Sequence, residues 1–515
     1  MMAATRQRPA MTLAELLADA ALPAAAARLP VSGLALDSRS VQPGDLFFAL
    51  RGERHDGRDF IARAAAAGAV AVLVDADAPV GGAPIPVVAR PGLAGHLSAI
   101  AGRFHGDPSR ALTVTGVTGT NGKTTCSLLL AQLFTALEAP AGVIGTLGAG
   151  LADGDLQATG FTTPDALATQ RLLAGLRDAG ARRVVMEVSS HSLAQQRVAA
   201  VRFHTALFTN LSRDHLDFHP DMAAYRDAKA GLFRQPELEV AVINLDDPAG
   251  RDIAAQTTAR RCHGYVLERD AALRDAALRD TALTNAALRV VHAEFGPWGT
   301  RARIATPWGD GELESPLPGA FNLANLLAVI GAACAQGFAL AAVLAAVPRL
   351  AGAPGRMQRI AGPVGAPRVV VDYAHSPDAL AQALAALRAA TAGRLWCVFG
   401  CGGDRDRGKR PQMGTVAAAA ADRLVLTSDN PRGEDADAIL AEIAAGIPGA
   451  RRDRTEVITD RRAAIHQAIA QAAGADTVLI AGKGPERWQE SAGVRWPFDD
   501  AEVARAALAA RGGLA

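Results

Sequence analysis

The sequence predicts an α/β protein of three domains: a small N-terminal domain, a central domain on a parallel sheet, and a C-terminal doubly wound domain. Three observations carry this. Short apolar, β-branched runs alternate with helical stretches along most of the chain, the pattern of sheets covered by helices. One strand-to-helix junction is a Gly-rich turn, Gly119-Thr120-Asn121-Gly122-Lys123-Thr124-Thr125. Two breaker clusters, Gly106-Asp107-Pro108-Ser109 and Ala351-Gly352-Ala353-Pro354-Gly355, divide the chain into residues 1–107, 108–352 and 353–515. A length of 515 residues fits that division at about 150 residues per domain.

Within residues 1–107, the apolar runs at 34–36, 45–50 and 69–74 read as strands joined by short helices. In the central domain, Leu112-Thr113-Val114-Thr115 leads into the Gly-rich turn, and Cys126-Ser127-Leu128-Leu129-Leu130 opens the helix behind it. Further buried strands follow at 184–188 and 240–244. Residues 326–347 carry no charge and are long enough to cross a bilayer, but Gly331, Gln336 and Gly337 interrupt them. Two buried helices around a Gly turn are the better reading. Beyond Gly355, runs at 368–372, 395–400, 423–427 and 477–481 have the unbroken apolar character of buried parallel strands. A pentad repeat, Asp270-Ala271-Ala272-Leu273-Arg274 and its copies to 289, turns each Leu by about 140° on a helix and makes no apolar stripe. It reads as a surface insertion.

Composition narrows the function. Half the residues are apolar and only 4% aromatic, so the cores are built from small aliphatics. A net charge of +1 supplies no bulk attraction to nucleic acid or anionic membrane. Five scattered cysteines suit a reducing cytoplasm, not a disulfide framework. Glu15 and Asp19 interrupt the Ala-rich N-terminal stretch behind Arg6 and Arg8, which argues against an export signal. A cytoplasmic protein without membrane insertion is expected.

The Gly-rich turn has the layout of a phosphate-binding loop. Glycines let backbone N–H groups close around phosphate oxygens at a helix N-terminus. Lys123 reaches the outer phosphates and the Thr124 hydroxyl can ligate Mg²⁺. The general pattern wants Gly where this chain has Val117; Gly116 and Gly119 flank that position. Other polar residues sit at strand ends, where open α/β sheets hold ligands. Glu187 closes a strand, and Arg213-Asp214-His215-Leu216-Asp217 places four ionisable groups in five residues after another. Alone, Glu187 or His215 is more often a structural polar residue; beside the loop, metal ligation is favoured. Lys229 by itself reads as a solvated helix lysine. Asn322 and Asn325 share a helix face and either touch nucleotide or cap the helix. Arg356 and Asp372 either reach a nucleotide or form a surface ion pair. In the third domain, the cation-rich segment 400–410 suits an anionic ligand, Arg432 in Asp429-Asn430-Pro431-Arg432 can clamp a carboxylate, and Glu486 can accept from an ammonium.

Together these residues resemble the Mur ligases, the ATP-dependent amide-forming enzymes of peptidoglycan precursor synthesis. The loop at 119–125, with its displaced first Gly, is similar to the family's version. Lys123, Glu187, His215, Asn322, Asn325, Arg356 and Asp372 follow the order and contexts of the family's ATP-site residues. Asp429, Asn430, Pro431 and Arg432 resemble the amino-acid motif of the diaminopimelate-adding branch, with Arg405, Gly482 and Glu486 implied to hold the rest of that amino acid. Leu36 and Ser38 match the uridine-nucleotide site. Thr162, Thr163, Ser189, Gln195 and Arg197 match contacts to the muramoyl dipeptide. The resemblance implies ATP and Mg²⁺, metal ligation by Thr124, Glu187, His215 and a carbamylated Lys229, and the substrates UDP-N-acetylmuramoyl-L-alanyl-D-glutamate and meso-diaminopimelate. A monomer is expected, with no nucleic-acid partner. Pro485 departs from the family, which usually has His there. Two other readings remain open: a ligase of this fold for lysine or glutamate, and a binding protein that hydrolyses ATP without forming a bond.

Overall fold

The computed structural model describes residues 11–18, 22, 24–52, 55–75, 82–267, 287–296 and 299–512. The pentad segment expected as an insertion lies, over 268–286, outside the described residues. Contact density divides the chain into two compact units. One comprises Met1–Thr118, Glu138–Ala206 and Gly231–Glu239; the other comprises Gly119–Leu137, Leu207–Ala230 and Val240–Ala515.

The first unit contains a parallel four-stranded sheet in the order β1 (Gly33–Ala35), β2 (Asp45–Ala49), β3 (Ala71–Val74) and β4 (Val87–Ala89). Side chains alternate across a strand, and both faces of this sheet are covered. Leu46 and Phe48 join one apolar cluster, Phe47 and Ala49 the other. The unit also holds β5 (Thr113–Thr118), β6 (Ala141–Gly145), β7 (Gly148–Leu151) and β8 (Arg183–Glu187). Strand β8 lies parallel between β5 and β6, and β7 runs antiparallel to β6. Strand β9 (Phe203–Phe208) begins in the first unit and ends in the second.

In the second unit β10 (Val240–Asn244), β11 (Arg261–Val266) and β12 (Ala287–Gly296) are parallel, and β13 (Gly299–Thr306) and β14 (Gly309–Ser315) extend them antiparallel. The expected parallel sheet therefore has antiparallel edges. The cause is chain length: only residues 146–147 join β6 to β7, and only 307–308 join β13 to β14. A two-residue connection makes a hairpin, whereas a parallel crossover needs a dozen residues or more. Helices α1 (Lys123–Leu137), α2 (Met222–Ala230), α3 (Ala320–Ala335) and α4 (Leu340–Ala346) belong to this unit. Helices α3 and α4 are the two expected from the uncharged run, with Gly337 at φ +98° between them.

The remaining sheet has the order β15 (Gln358–Ile360), β16 (Arg368–Asp372), β20 (Thr477–Ala481), β17 (Leu395–Phe399), β18 (Arg423–Leu426) and β19 (Thr455–Val457). All but β15 run parallel. Cys397, Phe399, Leu424 and Leu426 pack under α5 (Pro377–Ala390), α6 (Lys409–Ala420) and α7 (Ala436–Ala445). Trp396, Val398, Val425 and Ile480 pack under α8 (Arg461–Gln471) and α9 (Asp500–Gly512). Helices thus cover both faces, the doubly wound arrangement read from the sequence. A buried ion pair ties strand ends together. Arg461 meets both Asp500 oxygens at 2.8 and 2.7 Å and donates to the carbonyls of Ala481 (3.0 Å) and Ser428 (3.4 Å). Those carbonyls directly precede Gly482 and Asp429.

Candidate active site

The phosphate loop is shaped by two glycines in conformations that other residues resist. Gly119 has φ +147° and Gly122 φ +84°. A Cβ on Gly119 would sit 1.9 Å from Thr209 Oγ1, and one on Gly122 would sit 2.6 Å from Asn325 Oδ1. The segment just after β9 braces the loop: Thr120 N–H donates to the Asn210 carbonyl (2.8 Å) and Asn121 N–H to Asn210 Oδ1 (2.9 Å). Lys123 Nζ donates to the carbonyls of Gly119 and Thr120, both at 2.8 Å, so the ammonium curls over its own loop. Arg356 Nη2 donates to Thr124 Oγ1 at 3.2 Å.

Beside the loop, Asn121, Gly122, Thr125, Asn322, Asn325, Arg356 and Asp372 line one small cavity. The structure thus brings together seven residues that sequence reasoning placed near a nucleotide: Asn121, Gly122 and Thr125 of the loop, with Asn322, Asn325, Arg356 and Asp372. Asn322 Nδ2 donates to the Pro318 carbonyl (2.8 Å), one turn back at the start of α3. Arg356 stacks on the Tyr373 ring, 4.4 Å from its centroid, and Asp372 Oδ2 accepts from Met357 N–H (2.7 Å). Burial raises the Asp372 carboxyl above its usual range, opposed by Arg356. An adjoining cavity of about 550 Å³ shares Asn121, Gly122, Phe321 and Asn325 and adds Tyr265 and Phe295. That combination of apolar walls and a few amides suits a small organic ligand.

Lys229 is buried, contrary to the solvated helix lysine its spacing suggests. Its Nζ donates to the Gly119 carbonyl (2.8 Å) and lies 4.4 Å from the Tyr225 ring centroid. Burial first, and then the charge of Lys123, hold it well below the usual lysine range. His215 packs edge-on to the same Tyr225. Its backbone has φ +55°, and its Nε2 lies 3.5 Å from Asp214 Oδ2, with His375 Nε2 at 3.6 Å from that oxygen. Burial alone would raise the Asp214 carboxyl, but hydrogen bonding from His375 and the surrounding cationic groups bring it well below the usual range.

In the first unit, Glu187 is buried and accepts from Thr146 N–H (2.8 Å) and Thr146 Oγ1 (3.2 Å). Gly145 makes room: a Cβ there would sit 2.3 Å from Glu187 Oε1. Thr163 Oγ1 donates to the Glu187 carbonyl (2.8 Å) and accepts from Ser189 N–H (3.0 Å). Thr162 Oγ1 meets Thr146 Oγ1 at 3.1 Å. Arg197 bonds the Thr163 carbonyl (2.9 Å) and Gln195 Oε1 (2.5 Å). Thr162, Thr163, Glu187, Ser189, Gln195 and Arg197 therefore form one polar cluster. Leu36 and Ser38 lie on a different element, the turn after β1, where Ser38 is buried.

At the carboxyl edge of the third sheet, Asp429 and Asn430 are buried and Arg432 has φ +53°. Arg432 Nη1 donates to the Gly403 carbonyl (2.7 Å). Gly482, φ +115°, must be Gly, since a Cβ would meet Asp429 Oδ2 at 2.5 Å. Glu486 Oε2 already accepts from Lys483 Nζ (3.0 Å) and Asn430 Nδ2 (2.7 Å). Arg405 is exposed, its Nη1 3.4 Å from Asp217 Oδ2. The cation density of 400–410 is partly internal: Arg410 is buried against Glu434 and Glu442, and Arg407 pairs with Glu442. Pro485 packs against Gly355, whose Cβ would fall 2.1 Å from Pro485 N.

Three family models match the chain in succession: the Mur ligase family catalytic domain over residues 30–105, the Mur ligase middle domain over 117–333, and the Mur ligase glutamate ligase domain over 355–484. The UDP-N-acetylmuramoyl-L-alanyl-D-glutamate–2,6-diaminopimelate ligase of Ectopseudomonas mendocina is 51% identical over 491 residues, covering 95% of this chain and 97% of that protein. Its counterpart in Pseudomonas aeruginosa is equally similar, at 51% over 491 residues with the same coverage. The chain belongs to the Mur ligase family. A solved structure of a ligase with that same name superposes with a TM-score of 0.67 at 37% identity, over 98% of this chain and 99% of the other. A MurF ligase from Thermotoga maritima, solved in complex with ADP, shares the fold with a TM-score of 0.61 at 17% identity, over 93% and 96% of the two chains. This Mur ligase has the family's three-domain α/β architecture with a parallel-sheet domain at its centre.

Several residues around the sites of this Mur ligase escaped sequence reasoning. Thr146 holds the Glu187 carboxylate, Tyr225 underlies Lys229, and His375 reaches Asp214. His375 had a signal, since Tyr373 and His375 directly follow the strand ending at Asp372. Lys483, buried between Asn430 and Glu486, had only its place at a strand end. Among the described residues no three His, Cys, Asp or Glu side chains converge on one point, and no helix is long and apolar enough to cross a membrane.

Proposed function

We propose that this Mur ligase joins an amine of meso-diaminopimelate to the D-glutamate γ-carboxylate of UDP-N-acetylmuramoyl-L-alanyl-D-glutamate, cleaving ATP to ADP and phosphate. The observation that carries the reading is Arg432, a half-buried cation beside Asp429 and Asn430 at the carboxyl edge of the third sheet. Meso-diaminopimelate has a second carboxylate for it; lysine has none and would leave the guanidinium with only the Gly403 carbonyl and no counter-charge, at a cost of about 1–3 kcal/mol. The names of relatives at about half identity over nearly the whole chain support the same activity.

The γ-carboxylate oxygen attacks the terminal phosphorus of ATP, and ADP leaves. The amine nitrogen then attacks the acyl phosphate carbon, loses a proton, and phosphate departs. The chain contributes position and charge neutralisation. Lys123 exchanges its loop carbonyls for phosphate oxygens. Gly119, Thr120, Asn121, Gly122, Thr124 and Thr125 cradle the phosphates, while Asn322, Asn325, Arg356 and Asp372 hold the nucleotide. Leu36 and Ser38 take the uridine end of the substrate, and Thr162, Thr163, Ser189, Gln195 and Arg197 its dipeptide end. Arg405, Asp429, Asn430, Pro431, Arg432, Gly482 and Glu486 take the amino acid.

Mg²⁺, when bound, neutralises phosphate charge. Hard cations take oxygen donors, and the Thr124 hydroxyl and Glu187 carboxylate fit that requirement. His215 and an unmodified Lys229 offer nitrogen, a poorer match. Lys229 fits as a carbamate, which supplies oxygens. Carbamylation needs a neutral amine, and burial with Lys123 nearby favours that form. A carbamate carbon signal from Lys229 in protein supplied with ¹³C-bicarbonate would support this; its absence, with full activity in bicarbonate-free buffer, would exclude it. The reading also assigns a cytoplasmic monomer with domains at 1–107, 108–352 and 353–515. Gaps between the family models at 105–117 and 333–355 support those limits. Amino-acid-dependent phosphate release, with meso-diaminopimelate and lysine side by side and product mass recorded, tests the whole. Preference for lysine, or ATP turnover without a new amide, would defeat it.

A further inference from the structure

The Asp429–Arg432 motif does not hold its own shape. Arg432 sits at φ +53°, a conformation that a non-glycine residue resists unless its surroundings impose it. Those surroundings are a hairpin far along the chain, β21 (Trp488–Ser491) and β22 (Val494–Pro497), closed by Ala492 and Gly493 at φ +49° and +75°. Gln489 Nε2 donates to the Asp429 carbonyl at 2.8 Å. Glu490 N–H donates to Asn430 Oδ1 at 3.0 Å. Arg432 N–H donates to the Glu490 carbonyl (3.0 Å), and Ala492 N–H donates to the Arg432 carbonyl (2.6 Å). Arg432 is thereby bridged in parallel to Ser491, as a one-residue extension of the hairpin's edge.

The Glu490 bond also decides how Asn430 faces. Two donors, Glu490 N–H and Lys483 Nζ (3.0 Å), converge on its oxygen. Its amide nitrogen must then point the other way, where it meets Glu486 Oε2 at 2.7 Å. The hairpin consequently orients two side chains of the motif, Arg432 through the backbone and Asn430 through its amide. We propose that the hairpin Trp488–Pro497 is a positioning and specificity-determining element for the amino-acid substrate, acting through Asn430 and Arg432. This rests on the reading that the Asp429–Arg432 motif binds the amino acid.

The test uses the full-length ligase and the half-exposed Gln489. Gln489→Glu keeps the size but sets an acceptor against the Asp429 carbonyl; Gln489→Lys restores a donor. Expected for Gln489→Glu is a rise of about tenfold in KM for meso-diaminopimelate, from the lost bond and the opposed acceptors. KM for ATP and for the nucleotide substrate should stay at wild-type values, and Gln489→Lys should recover most of the effect. Arg432→Ala is measured in parallel. If Arg432→Ala raises KM for meso-diaminopimelate and Gln489→Glu does not, the hairpin has no positioning role while the motif still binds the amino acid. If neither variant changes that KM, the reading of the motif fails and the inference fails with it. A uniform rise in all three KM values, or equal defects in Gln489→Glu and Gln489→Lys, would show general damage and overturn the proposal. Should Gln489→Glu not fold, Gln489→Ala against Gln489→Lys gives the same comparison.

Discussion

The phosphate loop and the Asp429–Arg432 motif are both strand-end loops that depend on left-handed backbone, and they reach it differently. In the phosphate loop the left-handed positions are glycines, Gly119 and Gly122, whose missing side chains also admit Thr209 and Asn325. In the motif the left-handed residue is Arg432, which needs its side chain and is held by Glu490 and Ala492. A phosphate is recognised by backbone N–H groups, so a local run of small residues suffices. A particular amino acid is recognised by side chains, and their orientation must be enforced from elsewhere.

The largest effect expected from this contrast is at Lys123. Lys123→Ala removes the loop's one side-chain cation and should lower kcat by about 10²–10³-fold with either amino acid. Phosphate-release kinetics would check it, and a change in preference between amino acids would break the division of labour between the two regions. Next comes Arg432→Ala. It should weaken meso-diaminopimelate by about 2 kcal/mol in kcat/KM, some 30-fold, and leave KM for ATP unchanged. An unchanged preference over lysine would mean that Arg432 does not read the second carboxylate.

The smallest effect is electrostatic. Hydrogen bonds from buried Arg410 hold the Glu434 carboxyl down to about 2, below its ordinary 4.5. A lowered carboxyl contributes stability that is fully present above pH 4.5 and is lost as pH falls toward about 2. Glu434 is partly exposed, so the contribution is about 1 kcal/mol. Urea midpoints at pH 6 and pH 3 should fall further in the wild type than in Glu434→Gln. Equal falls would remove this pair from the support of the 400–410 segment.

Much of the fold was legible because buried parallel strands are short, unbroken apolar runs. Those at 240–244, 368–372 and 477–481 coincide with β10, β16 and β20. The antiparallel edges were not read, since they depend on two-residue connections and not on a strand's own pattern. At the sites, Lys123, Glu187 and Arg432 stood out through their places at strand ends. Thr146 and Tyr225 did not, and the strand-end places of His375 and Lys483 did not by themselves single them out, because each acts on a residue distant in sequence or looks ordinary in its own neighbourhood.

The sequence by itself determined the family, the α/β class and the phosphate loop, since each is written in local spacing: glycine positions, apolar runs, a lysine at the start of a helix. Only the tertiary structure decided that Lys229 is buried over Tyr225, that Asp214 faces both His215 and His375, and that a hairpin at 488–497 orients Asn430 and Arg432. Burial and the direction of a hydrogen bond are properties of pairs of residues. When the partners lie tens or hundreds of positions apart, folding alone brings them within reach.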